Sequence, residues 1–325
     1  MRVFDRVSRR PGTPVVFCVD IEPDPRVIDR ADPDSFAGFE RLMGRLPQLR
    51  ERLAEASGKP AAFTWFLRMD PQVAETWGSP TWPAETYGAA FSELTARGDE
   101  LGLHTHTWRR DTRADEWFAD YQDPIWADHC LRMGLDAFET AFGRRCTAHR
   151  GGDHFLSGAM LSTLEAHGVK VDLTVEPGVP PVGALEGEAA RGLCPDYRRV
   201  PSRPYRSSTK TFPAPDPTAH SDPLFVPLAS SPRVRPPFGR FPLYLNHKHF
   251  QQRIALELLR KLPVVALAVR SSSALSSEAW TMITERLTDI ARYPQMEFTT
   301  ASKAVDRYEG GTTRETRVAL KRRMP

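Results

Sequence analysis

Two short runs carry residue types suited to metal-assisted hydrolysis. Asp20 and Glu22 stand two apart, directly after the apolar run Val15-Val16-Phe17-Cys18-Val19. Residues two apart on an extended segment point to the same side, so both carboxylates can face one pocket. An acidic pair at a strand end equally serves to cap a loop or helix. His104 and His106 repeat this spacing in Gly102-Leu103-His104-Thr105-His106-Thr107-Trp108. Two imidazoles aimed at one point, with a carboxylate nearby, suit zinc, iron, cobalt or nickel better than hard magnesium or calcium. An H-x-H alone also hydrogen-bonds within a polar barrel mouth, and it is the acidic pair on another strand end that strengthens the metal reading.

These residues need a scaffold, and the hydrophobic pattern supplies one. A buried strand is predicted at Val15 to Val19. A helix follows from about Ser35, with Phe36, Phe39, Leu42, Met43, Leu46, Leu49 and Leu53 at three- and four-residue spacing, closing near Gly58. The alternation repeats: strand Ala61 to Leu67, helix Tyr87 to Arg97, strand Leu101 to His106, then a Trp-rich stretch and a helix Ile125 to Phe142. Next come strand Cys146 to Arg150, helix Ala159 to His167 and strand Val169 to Val175. Strands alternating with helices predict a parallel sheet, in which function gathers at the C-terminal strand ends.

From Pro177 to Pro242 prolines recur and no helical period survives, so an irregular excursion is expected, a lid or substrate loop with short strands such as Leu224 to Leu228. Regular alternation resumes with helix His249 to Lys261, strand Val264 to Val269, helix Glu278 to Ala291 and strand Glu297 to Thr300. The expected organisation is one barrel over residues 1–308, with the irregular insertion at about 177–242 and a basic, flexible tail at 309–325.

With 40% hydrophobic and 26% charged residues, the 325-residue chain can bury a full core. A net charge of +3 from 44 basic and 41 acidic residues mixed along the chain gives no concentrated footprint for nucleic acid. No run approaches the length of a membrane span. The start Met1-Arg2-Val3-Phe4-Asp5 has no secretory h-region, so a cytoplasmic location is expected. Cys18, Cys130, Cys146 and Cys194 are scattered without a C-x-x-C pair, which predicts four reduced, mostly buried thiols.

The order Val19-Asp20-x-Glu22, then Gly98-Asp99-Glu100-Leu101-Gly102-Leu103-His104, then His149-Arg150-Gly151-Gly152, then Val171-Asp172-Leu173-Thr174-Val175-Glu176-Pro177-Gly178 resembles the polysaccharide deacetylase family. That family carries the NodB homology domain and is carbohydrate esterase family four. The resemblance covers residues 14 to 178 well and residues 263 to 305 more faintly. It implies an α/β fold, a distorted (β/α)7-type barrel of the glycoside hydrolase/deacetylase superfamily, that removes acetyl groups from sugars with a divalent transition metal, zinc foremost. On the family pattern Asp20 is the catalytic base, Glu22 and His104 are metal ligands, and Arg150 orients the base.

Two departures stand out. The family's second metal histidine falls at Trp108, leaving His106 to supply that nitrogen on geometry alone; Trp108 then either floors the sugar site or packs in the core. The family's general-acid histidine falls at Arg270, which stays protonated near neutral pH and is better suited to binding an anionic substrate group. His154, in Gly151-Gly152-Asp153-His154, is expected to line the substrate site and is the alternative acid. Trp65, Arg68 and Asp70 either line the pocket or pack beneath it, whereas His247 and His249 are left outside it. Three functions follow: deacetylation of a soluble N-acetylated sugar or glycosylated metabolite, hydrolysis of a non-sugar amide, or carbohydrate binding without catalysis. The sequence leaves oligomeric state open.

Overall fold

The computed structural model describes residues 12–28, 36–183, 189–233, 239–247, 255–256 and 259–311. The expected tail from residue 312 onward, and most of the expected helix from His249 to Lys261, lie outside them.

The central sheet is parallel and runs in the order β12, β1, β2, β3, β6, β7, β9, with β13 also pairing β1. Its strands are β1 (Thr13–Ile21), β2 (Thr64–Arg68), β3 (Glu100–Thr105), β6 (Ala148–Gly151), β7 (Val171–Asp172), β9 (Leu224–Phe225), β12 (Val265–Arg270) and β13 (Met296–Phe298). Beyond β9, Leu228 N–H donates to Val175 O and Ala229 N–H to Ala266 O, drawing the two edges of the sheet together. The result is the expected distorted barrel.

Both faces of β1 are buried, as a parallel strand requires, and alternate residues enter different cores. Val15, Phe17 and Val19 pack with Phe39, Leu42, Leu46, Leu49 and Leu53 of α1 (Ala37–Ser57). Val16 and Cys18 join Phe66, Ala148, Val171, Leu173, Leu224 and Ala266 in a second cluster inside the curve of the sheet. Continuing that parity toward the C-terminal strand ends gives Asp20, Arg68, Arg150 and Arg270, the polar residues that crown the inner core. The register reinforces this: Asp20 lies opposite Arg270 on β12, Arg68 opposite His104, and His104 opposite Arg150.

Around the sheet stand α1, α2 (Pro71–Trp77), α3 (Trp82–Thr86), α4 (Gly88–Ala96), α5 (Pro124–Phe142), α6 (Gly158–Ala166), α7 (Ser277–Ala291) and a helix over 301–311. Asp70, Asp123, Ser157 and Ser276 cap α2, α5, α6 and α7 through backbone N–H groups of the first turn. The short α2 and α3 went unread in the sequence, and the expected strand Val169 to Val175 shrinks to two residues. The Trp-rich stretch forms the hairpin β4 (Trp108–Asp111) and β5 (Glu116–Asp120), extended by β8 (Ala189–Arg191) into a small separate sheet. Residues 177–242 hold β8, β9 and a second hairpin, β10 (Ser230–Arg233) with β11 (Gly239–Pro242). All four cysteines are free and buried, and no described helix is long and apolar enough to cross a membrane.

Candidate active site

A cavity of about 540 Å³ opens over the C-terminal strand ends, lined by Asp20, Glu22, His104, His106, Arg150, His154 and Arg270 among others. Those seven are sequence candidates. The eighth, Trp108, is not there. It is fully buried with Trp117 and Ala119, under the cavity wall. The chain turns at Thr107 and Trp108 begins β4, where it pairs with Ala119, so its face is withdrawn from any ligand in the cavity.

Three donor atoms converge on one wall. His106 Nε2 is 3.1 Å from Glu22 Oε2 and 3.1 Å from His104 Nε2, and His104 Nε2 is 3.7 Å from Glu22 Oε2. The outer atoms of the same side chains are already committed. His104 Nδ1 is 2.9 Å from Arg150 O, an acceptor only, so that nitrogen carries the proton and Nε2 presents a lone pair. His106 Nδ1 is 3.0 Å from Asp153 Oδ2 and 3.0 Å from Trp108 Nε1. Trp108 Nε1 donates to that nitrogen, and Asp153, which can only accept, takes its proton when it carries one, the state that turns the Nε2 lone pair inward. Glu22 Oε1 accepts from Arg270 Nε, which leaves Oε2 turned to the imidazoles.

Two imidazole lone pairs and a carboxylate oxygen thus meet across 3.1 to 3.7 Å, an arrangement that repels itself unless a positive species lies among the donors. A tetrahedral ion with bonds of about 2.0–2.1 Å sets its ligands about 3.4 Å apart, so the separations fit a zinc-like ion. Without an ion, a proton on His106 does this work: burial opposes its charge, but Asp153 and Glu22 outweigh burial and raise its pKa. Burial likewise favours neutral Glu22, yet Arg270 and the two histidines hold its pKa well below the usual carboxylate range. Gly152 closes the other side. A Cβ there would lie 2.1 Å from His106 Nε2, so only glycine leaves the nitrogen accessible.

The opposite wall is built from paired charges. Arg150 Nε donates to both Asp20 oxygens at 3.1 Å, Nη2 donates to Glu176 Oε1 at 3.1 Å, and Nη1 to Leu173 O at 2.7 Å. His154 Nδ1 stands 2.9 Å from Glu176 Oε1, a charge contact rather than an aligned hydrogen bond, and Tyr244 Oη donates to Glu176 Oε2 at 2.6 Å. Burial disfavours the Glu176 anion, but His154 and Arg150 outweigh it and lower its pKa to about 2. The walls adjoin at Asp20, whose Oδ1 is 3.9 Å from His104 Nδ1.

The sequence had suggested Arg270 as an anion binder. Its guanidinium is engaged instead with Glu22 and with Pro23 O at 3.0 Å, because the register sets it beside the first strand end. Arg68 and Asp70 pack below the cavity, where Arg68 Nε donates to Asp70 Oδ2 at 2.6 Å and its Nη1 lies 3.9 Å from Glu22 Oε2, whereas Trp65 lies in the α1 cluster with its Nε1 donating to Asp99 Oδ2 at 2.8 Å. His247, left outside by the sequence reading, lines the cavity with Tyr244 and Asn246, whereas no described residue of 177–242 does. His249 lies outside the described residues. Asp153, Glu176 and Tyr244 are not among the sequence candidates, although Glu176 sits inside one of the motifs that carry the resemblance and Asp153 directly follows another.

No family model matches the chain, and no curated protein matches it by sequence. Solved structures do. A protein of Mycobacterium smegmatis assigned as a polysaccharide deacetylase superposes with a TM-score of 0.52 at 12% identity, over 94% of this chain and 93% of that one. A Pseudomonas aeruginosa protein assigned likewise gives 0.53 at 11%, over 91% and 90%. The Puue allantoinase gives 0.53 at 11%, over 92% and 90%. At such identities the likeness speaks for architecture, and in architecture the chain is a divergent version of the polysaccharide deacetylase fold.

Proposed function

We propose that the protein is a metal-dependent hydrolase that removes an acetyl group from an N-acetylated sugar or glycan precursor. The observation that carries this reading is the placement, in one cavity, of an arginine-held carboxylate beside three converging metal-type donors. Glu22, His104 and His106 would hold the ion, zinc being the best fit to two imidazoles and a carboxylate. A bound divalent ion supplies polarisation of the acetyl carbonyl and acidification of water.

The chain's own groups do the rest. Arg150, bonded to both Asp20 oxygens, fixes that carboxylate at the cavity wall, as a positioned base requires. Asp20 takes the proton from water as the water oxygen attacks the acetyl carbon. Asp153 and the Arg150 carbonyl hold the two imidazoles with their Nε2 lone pairs inward. The test is acetate release from N-acetyl chito-oligosaccharides and nucleotide-linked N-acetylated sugars by zinc- and cobalt-loaded protein. Release that Asp20→Asn abolishes supports the proposal; none from either substrate class, with metal bound, removes it.

One observation favours a second reading, hydrolysis of a non-sugar amide. With Trp108 buried, no tryptophan is among the described residues lining the cavity, and the aromatic ring there, Tyr244, is tethered through its hydroxyl to Glu176 at 2.6 Å, so the indole platform on which a pyranose stacks is missing. The same acetate and ammonia assays on small amides separate the two.

A further inference from the structure

An amide nitrogen leaves only when protonated, so a base and an ion on one side of the scissile bond need an acid on the other. Arg270 occupies the strand end after β12 but holds its proton near neutral pH and is tied to Glu22. His104 and His106 belong to the donor cluster. His247 lines the cavity but is exposed, and no described carboxylate contacts it. His154 differs from these. It lines the cavity with its side chain 20% exposed, and its Nδ1 is held 2.9 Å from fully buried Glu176, leaving Nε2 for the cavity.

The backbone is bent to put it there. Asp153 and His154 have φ of 53° and 57°, the left-handed region that non-glycine residues rarely enter, and here two occur in succession. The groups facing His154 are Glu176 from the segment after β7, Arg150 from β6 and Asp153 from its own turn. Tyr244 caps the far oxygen of Glu176. Burial and Arg150 oppose a charge on the imidazole, but Glu176 outweighs them and raises the pKa of His154. Arg150 stands between, bonded to Asp20 on one side and Glu176 on the other, so one guanidinium fixes both ends of a proton path.

Building on the deacetylase reading, we propose that His154, oriented by Glu176, is the general acid that protonates the leaving nitrogen. As water oxygen bonds to the acetyl carbon, its proton passes to Asp20. As the C–N bond breaks, its electron pair stays on nitrogen, which takes the proton from His154 Nε2. Acetate and the free amine leave, and proton exchange with solvent returns Asp20 to carboxylate and His154 to imidazolium. The acid thus comes from the turn after β6 rather than from the end of β12.

The experiment compares two leaving groups on zinc-loaded protein: tetra-N-acetylchitotetraose, whose amine must be protonated, and 4-nitrophenyl acetate, whose phenolate leaves unaided. His154→Asn is the variant, because asparagine tolerates a positive φ best among non-glycine residues. Its kcat on the amide should fall about 10²–10⁴-fold while the ester rate falls less than about threefold. In wild type, the amide profile should carry an alkaline limb that the ester profile lacks, which reports the acid even if His154→Asn folds poorly. Equal losses on both substrates, no loss on either, or the same alkaline limb on both would overturn the assignment while leaving the deacetylase reading intact. Wild-type protein that cleaves neither substrate brings down that reading and the acid with it.

Discussion

Asp20 and Glu22 lie two residues apart yet meet opposite surroundings. Asp20 faces a guanidinium that bonds both its oxygens, and beyond it Glu176 meets that same arginine, His154 and Tyr244. Every negative group on that wall has its positive or donor partner in the chain. Glu22 gives one oxygen to Arg270 and turns the other to two nitrogens whose protons point away. The second layer there directs lone pairs inward rather than neutralising them. One wall is complete as folded, and the other is completed by an ion or a proton. The two should therefore answer differently to substitution, metal and pH.

The largest separation should come from Asp20→Asn, which removes the base without touching the donors. Turnover should fall about 10²–10⁴-fold, with zinc affinity, measured by competition with a chromophoric chelator, held at the wild-type value. Loss of zinc affinity in that variant would merge the two walls into one. Next, Asp153→Asn weakens the hold on His106 Nδ1 and should cost about 10–100-fold in metal affinity. Gly152→Ala puts a Cβ 2.1 Å from His106 Nε2; it should destabilise the fold by about 1–3 kcal/mol and block zinc uptake.

The pH response sharpens the contrast further. His106 has a raised pKa in the fold, so the stability it gives the metal-free protein is fully present below its ordinary value, about 6.5, and is lost as pH rises through the raised one. Zinc must displace that proton, so zinc affinity rises with pH over the same window. The increment in melting temperature on adding zinc should accordingly be larger at pH 8 than at pH 6; an increment that shrinks would contradict the proton-for-ion exchange. Smallest of all, Trp108→Phe keeps a ring beneath His106, so KM should stay within about twofold, as expected for a group out of contact with substrate. A tenfold rise would restore Trp108 to the sugar site.

The strand ends were the legible part. Asp20, His104 and Arg150 close apolar runs whose two-residue period carries them onto the inner face, and that period is visible in a single sequence. His106 was legible by the same period, although β3 ends one residue before it. Of the two readings the sequence leaves for Trp108, the structure favours core packing, because the period does not survive the turn: one residue on, the chain enters another sheet. Arg270 was only half legible, for a different reason. Its facing direction was right, but only the register with β1 reveals that Glu22 intercepts its guanidinium. Asp153, Glu176 and Tyr244 depend on pairings 47, 26 and 68 residues apart in sequence, for which local spacing holds no signal. Helices of seven and five residues, α2 and α3, are likewise too short to show a period.

The proposed hydrolysis needs Glu22, His104 and His106 to form a site for a divalent transition ion. Metal analysis of protein purified without chelator and then equilibrated with zinc at pH 8 tests it most directly. About one ion per chain should survive gel filtration, and none in a folded Glu22→Gln variant. Wild-type protein that is folded and yet retains no zinc, cobalt, nickel or iron under those conditions would contradict it.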